Sequence, residues 1–558
     1  MKMKKIGNNR LSQVLFLLIM LLATQTIADD RQKFNLARQL SVFNSIVKEL
    51  NLFYVDSIMP EKMMRKTIDG MLRNLDPYTV YYPEDEDEEL RMMTTGKYAG
   101  IGSIIRYHTD KKTTVIAGPY EGMPAQKAGL RTGDVIISVD GVKVAGMSTD
   151  SVSNMLRGEP GSTLVLEVER PGKKGVFPVR IVRESIALPP IGYYGIIEEN
   201  VGYILLDRFT KDCAKEMRRA IVDLKKQGAV SFIIDLRNNG GGLLNEAVDI
   251  VGLFVPKGEL VVSTKGKIKQ SNEEYKTSKE PVDKDSPVVV LVNGQSASAS
   301  EILAGALQDM DRAVIVGSRT YGKGLVQSTR PVNGGGYLKL TTAKYYIPSG
   351  RCVQALDYSH MIDDGRSTRV PDSLTTVFHT AAGREVRDGG GIRPDVETKS
   401  EELSTLLYYL LQDMAIFDFA TLFRVKNDTI GTAESYMVGD EVYSEFKDYL
   451  KSKGFSYDLQ SVKFLADLKK IMEIEGLSEL AKDEIASLEK KLQSNLDYSL
   501  IHFEKDVKDL LATEILSRYY GQKGEIIYGL REDVDIKEAV EVLRSSNRYK
   551  EILSPEKK

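Results

Sequence analysis

Cysteine and histidine are scarce in this chain. Its 558 residues include two cysteines, Cys213 and Cys352, and four histidines, His108, His360, His379 and His502. Two cysteines allow at most one bridge. An oxidising compartment would permit it, but sequence does not say whether the sulfurs meet, and two buried free thiols fit equally. The cysteine and histidine spacings match no zinc pattern, so no metal and no cofactor is expected. A block of charge of one sign is also missing. The 76 basic and 79 acidic residues nearly cancel to −3, and no basic stripe is present that would track a nucleic-acid backbone, which argues against a nucleic-acid partner. The short acidic run "EDEDEEL" reads as a solvated helix start or loop.

Long apolar runs are lacking too. After Lys2, Lys4, Lys5 and Arg10 the run "VLFLLIMLLA" is only about ten residues, short of the roughly 20 that cross a bilayer. With the small residues of "TIA" ending at Ala28, it reads as a cleaved secretory signal over residues 1–28. The mature chain would begin at Asp29 and be exported, to a periplasm. An uncut signal would instead leave it in peripheral association with a membrane. The later stretch "LLYYLLQDMAIFDFATLF" is interrupted by Asp413 and Asp418 and reads as a buried helix.

What is present points to several domains, since 42% hydrophobic and 28% charged residues over this length support more than one core. Residues 29–96 carry helical periodicity in "LARQLSVFNSIVKEL" and "MMRKTIDGMLRNL", with Pro77 stopping the second run. Over 97–184 the texture becomes short β-like runs between glycine turns, with a helix in "STDSVSNMLRG" that Ser148 or Thr149 can cap. The "GIG" loop (Gly100, Ile101, Gly102), "PAQKAGLRTGDVIISVDG" and "LRGEPG" resemble a PDZ domain. That resemblance implies a module whose loop N–H groups hold a peptide's terminal carboxylate and whose strand edge grips the preceding residues. Its partners would be polypeptides with exposed C-terminal tails.

Residues 185–400 read as an α/β core. "NVGYILLDRF" and "AVSFIIDLRNN" flank the helical "KDCAKEMRRAIVDLKKQG" as a βαβ crossover, followed by the buried strands "SPVVVLVNG" and "AVIVGS". Residues 401–558 are helical in pattern and carry no chemical motif. They read as packing, dimer contact or substrate control, and a homo-oligomer stays open.

Chemistry concentrates in "NGQSASASEI". Ser298 and Glu301 fit a capping box, yet a helix N-terminus also suits a developing oxyanion. A nucleophilic serine needs a base, and neither His360 nor His379 sits in a compelling motif. A lysine serves if burial populates its neutral amine. Lys323, between Gly322 and Gly324 in "TYGKGLVQ", is the candidate, against the plain alternative of a surface lysine in a turn.

The segment from Asn293 to Gln327 resembles the catalytic stretch of the carboxy-terminal processing peptidases, serine–lysine proteases that carry a PDZ domain. "LDPYTVYYP", "DLRNNGGGLL", "AKYYIPSG" and "DGGGIRPDV" follow in the family's order, so the resemblance runs from about Asn74 to Val396. It implies Ser298 as nucleophile, Lys323 as general base and Gln327 as the residue orienting that lysine. Ser296 and Ser300 become structural neighbours. It further implies an oxyanion hole from Ala299 with Gly241 or Gly242, while Gly240 replaces the family's usual proline and Asp235 with Arg237 positions the loop. Asp309 matches a position often acidic in relatives, or is the end of a surface helix. Arg157 either couples the two domains or is a solvated helix-end arginine.

The expected fold is therefore multidomain α+β: a PDZ-type β domain joined to an α/β serine protease core, with helical N- and C-terminal regions. The expected function is an exported serine endopeptidase that cleaves proteins recognised through their C-terminal tails. The rivals are a non-catalytic PDZ tail-binding adaptor and a histidine-dependent esterase.

Overall fold

A computed structural model describes residues 35–84, 92, 95–358, 368–369, 371–399, 403–492 and 496–554. The signal segment, most of the acidic run and His360 lie outside them. The chain divides into two compact units, Met1–Tyr81 and Tyr82–Lys558. In the first, helix α1 (35–53) is followed by α2 (Pro60–Arg73), which begins on a proline, where the missing N–H is no loss. Past the end of α2, Asp76 Oδ1 accepts from the Tyr78 and Thr79 N–H groups and fixes the Asp-Pro turn.

In the second unit the PDZ-type domain is antiparallel. Strands β1 (Lys97–Gly100), β2 (Ser103–His108), β3 (Thr113–Pro119), β4 (Val135–Val139), β5 (Thr163–Glu169), β6 (Val176–Val182) and β7 (Glu184–Ala187) surround helix α3 (Thr149–Leu156). The sheet order is β2-β3-β4-β5-β6, and β1 pairs separately with β7. Ser148 caps α3 by accepting from the Ser151 N–H, and Arg157 ends the helix before Gly158. Val152 and Leu156 of α3 bury against Ile116, Ile136 and Leu164.

The α/β core holds a six-stranded sheet. Its strands, in spatial order, are β8 (Ile191–Ile196), β9 (Val201–Leu206), β10 (Ser231–Asp235), β11 (Val288–Val292), β12 (Val314–Gly317) and β13 (Val396–Glu397). The expected βαβ crossover is present: helix α4 (Cys213–Lys226) joins β9 to its parallel neighbour β10. The near-continuous apolar strands "SFIID" and "VVVLV" are buried on both faces, as parallel sheets require. One face packs on α4, α5 (Leu244–Val251) and α6 (Ala299–Asp309).

The other face meets the end of the chain. Ile233, Val289, Leu291, Val314 and Val316 pack against Ile536, Ala539, Val540 and Tyr549 of two terminal helices, α7 (Val534–Arg544) and α8 (Ser546–Leu553). Each such aliphatic side chain contributes roughly 1.5–3 kcal/mol on burial. These helices therefore complete the sheet as its third layer.

The stretch expected as one buried helix is two, Thr405–Gln412 and Ala415–Lys426, bent by 59° at Met414, whose φ is +54°. Among the described residues no single helix is long and apolar enough to cross a membrane. This bend holds the PDZ-type domain. Met414 and Phe417 pack on Val115 and Val135. Gly133, at φ +95°, approaches Thr421 so closely that a Cβ would stand 2.3 Å from its methyl carbon. Behind this contact the buried His108 Nε2 lies 3.0 Å from Asp418 Oδ1, and Lys453 Nζ donates to Asp418 Oδ2 at 2.8 Å.

Burial opposes ionisation of Asp418, but the bonds from His108 and Lys453 prevail and hold its carboxyl down to about 2. A depressed carboxyl stabilises the folded form above its unfolded value, near 3.8, and loses that contribution as pH falls toward 2. Asp418→Asn should therefore cost roughly 2 kcal/mol at pH 7, with the gap from wild type closing between about pH 4 and pH 2. Thermal unfolding midpoints across that range test it, and a gap independent of pH would refute the linkage.

Candidate active site

Ser298 stands where β11 ends and α6 begins. Its φ of +57° and ψ of −112° lie outside the regular regions, a strain worth about 1–3 kcal/mol that surrounding bonds must hold. Glu301 supplies one of them, accepting the Ser298 N–H on Oε2 at 2.9 Å. The capping-box geometry is present on both sides, but only this half closes to a full hydrogen bond, and the serine hydroxyl makes none as a cap. Tyr345, fully buried and with its phenol pushed well up by that burial, donates to the Ser298 carbonyl at 3.2 Å.

The flanking serines are spent differently. Ser296 Oγ donates to the Leu236 carbonyl and Ser300 Oγ to the Asn239 carbonyl, each at 2.8 Å. Both hydroxyls thus fasten the "DLRNNGGG" loop to the "SASAS" segment. The alternation of serine and alanine places these two on the loop and leaves Ser298 half-buried between them.

Glu301 is more than a cap. Wholly buried, it accepts the Thr320 hydroxyl (2.6 Å) and the Gly322 N–H (2.7 Å) on Oε1, and the Lys323 N–H (2.8 Å) on Oε2 with that of Ser298. One oxygen thus holds the backbone nitrogens of both Ser298 and Lys323. Burial pushes this carboxyl up, and the four donors oppose the shift. All four acceptor positions are filled, and Thr320 Oγ1 itself accepts the Ile392 N–H, so its proton points at Glu301. This arrangement suits the ionised form. Sequence reading saw only a capping residue here. The overlap of an S-x-x-E helix start with a downstream "TYGKG" turn was the available signal.

Lys323 is half-buried in its turn. A Cβ at Gly322, whose φ is +88°, would come 2.3 Å from Ala355 Cβ, and one at Gly324 would come 2.8 Å from the Gln354 nitrogen. Both glycines therefore permit a close approach that a side chain would block. The Tyr321 N–H donates to the Ser296 carbonyl, a second tie between the lysine turn and the serine segment. Gln327 lies on the strand Leu325–Pro331, and its amide donates across the pair to Thr341 Oγ1 at 3.2 Å.

The glycine loop reaches Ser298 from the opposite side. A Cβ on Gly241 would stand 2.9 Å from Ser298 Cβ and 2.8 Å from the Ala299 nitrogen, so only glycine fits. The Gly241 N–H donates to Asn239 Oδ1 at 2.9 Å, whereas among the described contacts that of Gly242 has no acceptor. Gly240 has open space around it.

Asp309 is not the end of a surface helix. It is buried, with Oδ1 2.8 Å from Arg351 Nη2 and Oδ2 accepting the Ser349 N–H, because the "YYIPSGR" segment folds back over α6. Among the described residues no group of side chains could hold a metal ion. Both cysteines are free thiols, each pushed up by burial. His379 is exposed on a small hairpin, Val377–His379 with Glu385–Arg387.

Two cavities join this centre to the PDZ-type domain. A smaller one, about 180 Å³, is lined by Gly100, Ile101, Ser103, Ile105 and Leu156, the loop, strand and helix that form a PDZ groove. A larger one, about 680 Å³, runs from Asp150 and Asn154 on α3 to Gly240 and Gly241. Ser153 and Arg157 line both. Arg157 places its guanidinium 5.9 Å from the centre of the Tyr98 ring, on β1 of the same domain.

Comparison with known proteins gives a consistent picture. Residues 200–359 match the model of peptidase family S41, residues 115–170 a PDZ domain, and residues 406–543 the C-terminal helical domain of probable PDZ-proteases. A carboxy-terminal-processing protease of Bartonella bacilliformis is 33% identical over 60% of this chain and 77% of its own length. A probable CtpA-like serine protease of Staphylococcus aureus is 35% identical over 56% of this chain and 62% of its own. Among solved structures, a photosystem II D1 C-terminal processing protease is 29% identical, covering 64% of this chain and 87% of that one, at a TM-score of 0.36.

Proposed function

The chain belongs to peptidase family S41, the carboxy-terminal-processing proteases, and is a serine-type endopeptidase; from that premise we propose that it works through a Ser298–Lys323 pair on exported proteins selected by their C-terminal tails. The observation that carries the pair is the shared Glu301 oxygen, which holds the backbone of Ser298 and of Lys323 in one place.

Neutral Lys323 takes the Ser298 hydroxyl proton as the oxygen bonds to the scissile carbonyl carbon. The carbonyl oxygen gains the negative charge and is received by the Ala299 N–H and a glycine N–H of the loop. Gly242 suits that role as the loop stands, because the Gly241 N–H is engaged by Asn239. The carbon–nitrogen bond then breaks and Lys323 passes its proton to the leaving amine. Water, deprotonated by the same amine, attacks the ester, and the proton returns to Ser298. Gln327 would orient the lysine from the neighbouring strand.

Tail selection draws its support from the groove at Gly100 and Ile101, with Gly102 closing its loop at φ +69°. Arg157 stands where that groove meets the cavity leading to the glycine loop, the position a coupling residue needs. Export to the periplasm is supported by the basic and apolar start of the chain.

The test is cleavage of an unfolded protein by the purified full chain, with Ser298→Ala as control. Cleavage should be seen, be lost in the control, and slow at least tenfold when the substrate's C-terminal carboxylate is amidated, since a charge-assisted contact is removed. No cleavage by either form would favour the tail-binding adaptor. Equal cleavage of free and amidated substrates would remove tail recognition while leaving the peptidase.

A further inference from the structure

The glycine loop is held where it begins by Asn239, whose carbonyl accepts from the Ala297 N–H and Ser300 Oγ and whose amide donates to the Leu206 carbonyl. The segment that leads from β10 into it depends on Arg237. Left-handed or open backbone at Asn238, Gly241 and Gly242, with φ of +61°, +97° and +148°, takes the loop out of strand and helix, and its last residues are pinned by the Phe209 backbone, which donates its N–H to the Gly241 carbonyl and accepts the Leu243 N–H. Where the loop leaves β10, side chains fix its path.

Arg237 is a fork with two targets. Nε and Nη2 donate to the Asp235 carboxylate at 3.0 and 2.6 Å, anchoring the arginine to the end of its own strand. Nη1 donates to Asp533 Oδ2 at 2.7 Å and to Asp535 Oδ2 at 2.9 Å, some three hundred positions away in sequence at the start of α7. Each aspartate spends its other oxygen on the framework. Asp533 Oδ1 accepts the Ile536 N–H and caps α7, while Asp535 Oδ1 accepts the Thr398 hydroxyl. Thr398 in turn donates its N–H to the Gly317 carbonyl at the end of β12. The arginine is therefore clamped between its own strand and a helix that is itself seated on the sheet.

A helix-capping aspartate and an acidic first turn are ordinary features of a helix start and would not by themselves point anywhere. Here both free oxygens converge on a single guanidinium nitrogen of an arginine whose side chain is only 17% exposed, and that arginine stands two residues before the glycine loop. We propose that Asp533 and Asp535 are positioning residues for the hydrolytic reaction: the C-terminal helices set the oxyanion loop through Arg237. The inference rests on reading the 239–242 loop as the source of an oxyanion donor. It assigns a task in catalysis to the last helices of the chain, beyond covering the sheet. Sub-ångström displacement of a donor is enough to weaken it, so releasing Nη1 should act on turnover more than on substrate binding.

The variant Asp533→Ser with Asp535→Asn separates this role from mere folding. Serine is as good a helix cap as aspartate, and asparagine can still accept from Thr398 while turning its NH₂ group toward Nη1, so the changed contacts are those to Arg237. With the purified full chain and an unfolded substrate, measured well below the thermal midpoint, which the loss of two partners from a largely buried guanidinium lowers, kcat should fall about tenfold or more while KM stays near wild type. Asp535→Asn alone, which keeps the Asp533 cap, should show a smaller loss of the same kind if the double variant folds poorly.

Arg237→Lys, measured alongside, tells two failures apart. Lysine cannot span both targets with a fork. If Arg237→Lys lowers kcat but the aspartate variants do not, the clamp is refuted and the loop reading stands. If neither lowers kcat, Arg237 does not set an oxyanion donor and the inference falls. A rise in KM at unchanged kcat would also overturn it.

Discussion

Lys323→Ala should abolish proteolysis, with kcat reduced by about 10⁴-fold or more, while the fold is retained. The lysine amine is the only base the proposed mechanism provides, so its loss stops both the attack by Ser298 and the protonation of the leaving amine. Retention of the fold follows from what holds the turn: the Lys323 backbone N–H on Glu301, the Gly324 N–H on Gln354 Oε1 and the Ala355 N–H on the Gly322 carbonyl all survive truncation of the side chain. Because the working form of the amine is neutral, wild-type activity should rise with pH. His379→Ala, on its exposed hairpin, should leave kcat unchanged, which separates this mechanism from a histidine-dependent esterase. Steady-state kinetics with thermal melting as a fold check decide it. A Lys323→Ala protein that kept most of its activity would refute the Ser–Lys pair.

Glu301→Gln is expected to be nearly as damaging, although it is close to isosteric. Glu301 offers four acceptor positions and faces four donors: the Thr320 hydroxyl and the N–H groups of Gly322, Ser298 and Lys323. Glutamine replaces one accepting oxygen by an NH₂ group. If that group lies at the Oε2 position, it opposes the N–H of both Ser298 and Lys323. If it lies at Oε1, it opposes Gly322, and Thr320 cannot freely reorient because its oxygen accepts from Ile392. Each buried donor left without an acceptor costs about 1–3 kcal/mol. Misplacement of Ser298 relative to Lys323 should lower kcat/KM by about 100-fold. Thermal midpoint and kcat/KM should fall together. A Glu301→Gln enzyme with wild-type kcat/KM would show that this carboxylate does not set the pair.

Much of this was legible before any coordinates. The βαβ crossover followed from helical periodicity between two apolar β runs, and the PDZ-type domain from the family resemblance carried by "GIG", "PAQKAGLRTGDVIISVDG" and "LRGEPG". The need for glycine on both sides of Lys323 and at Gly241 was also readable, since such positions are where backbone must pass close to other atoms. Less legible were contacts between residues far apart in the chain. Asp309 read equally well as a position often acidic in relatives or as a surface helix end, because nothing local reveals that the segment around Arg351 folds over it. The stretch around Asp413 looked like one helix because a bend at a single left-handed methionine leaves hydrophobic periodicity almost intact.

Sequence alone, then, determined the kinds of domain in order along the chain, the family resemblance and the residues able to attack and to accept a proton. These depend on local spacing, turn chemistry and side-chain type, all of which are properties of short segments. Only the tertiary structure decided that one buried carboxylate holds Ser298 and Lys323 together, that Ser296 and Ser300 are spent on the glycine loop, and that the last helices reach Arg237. Hydrogen bonds and ion pairs of this kind are fixed by which surfaces the core brings within about 3 Å, and burial far from the segment itself makes that choice.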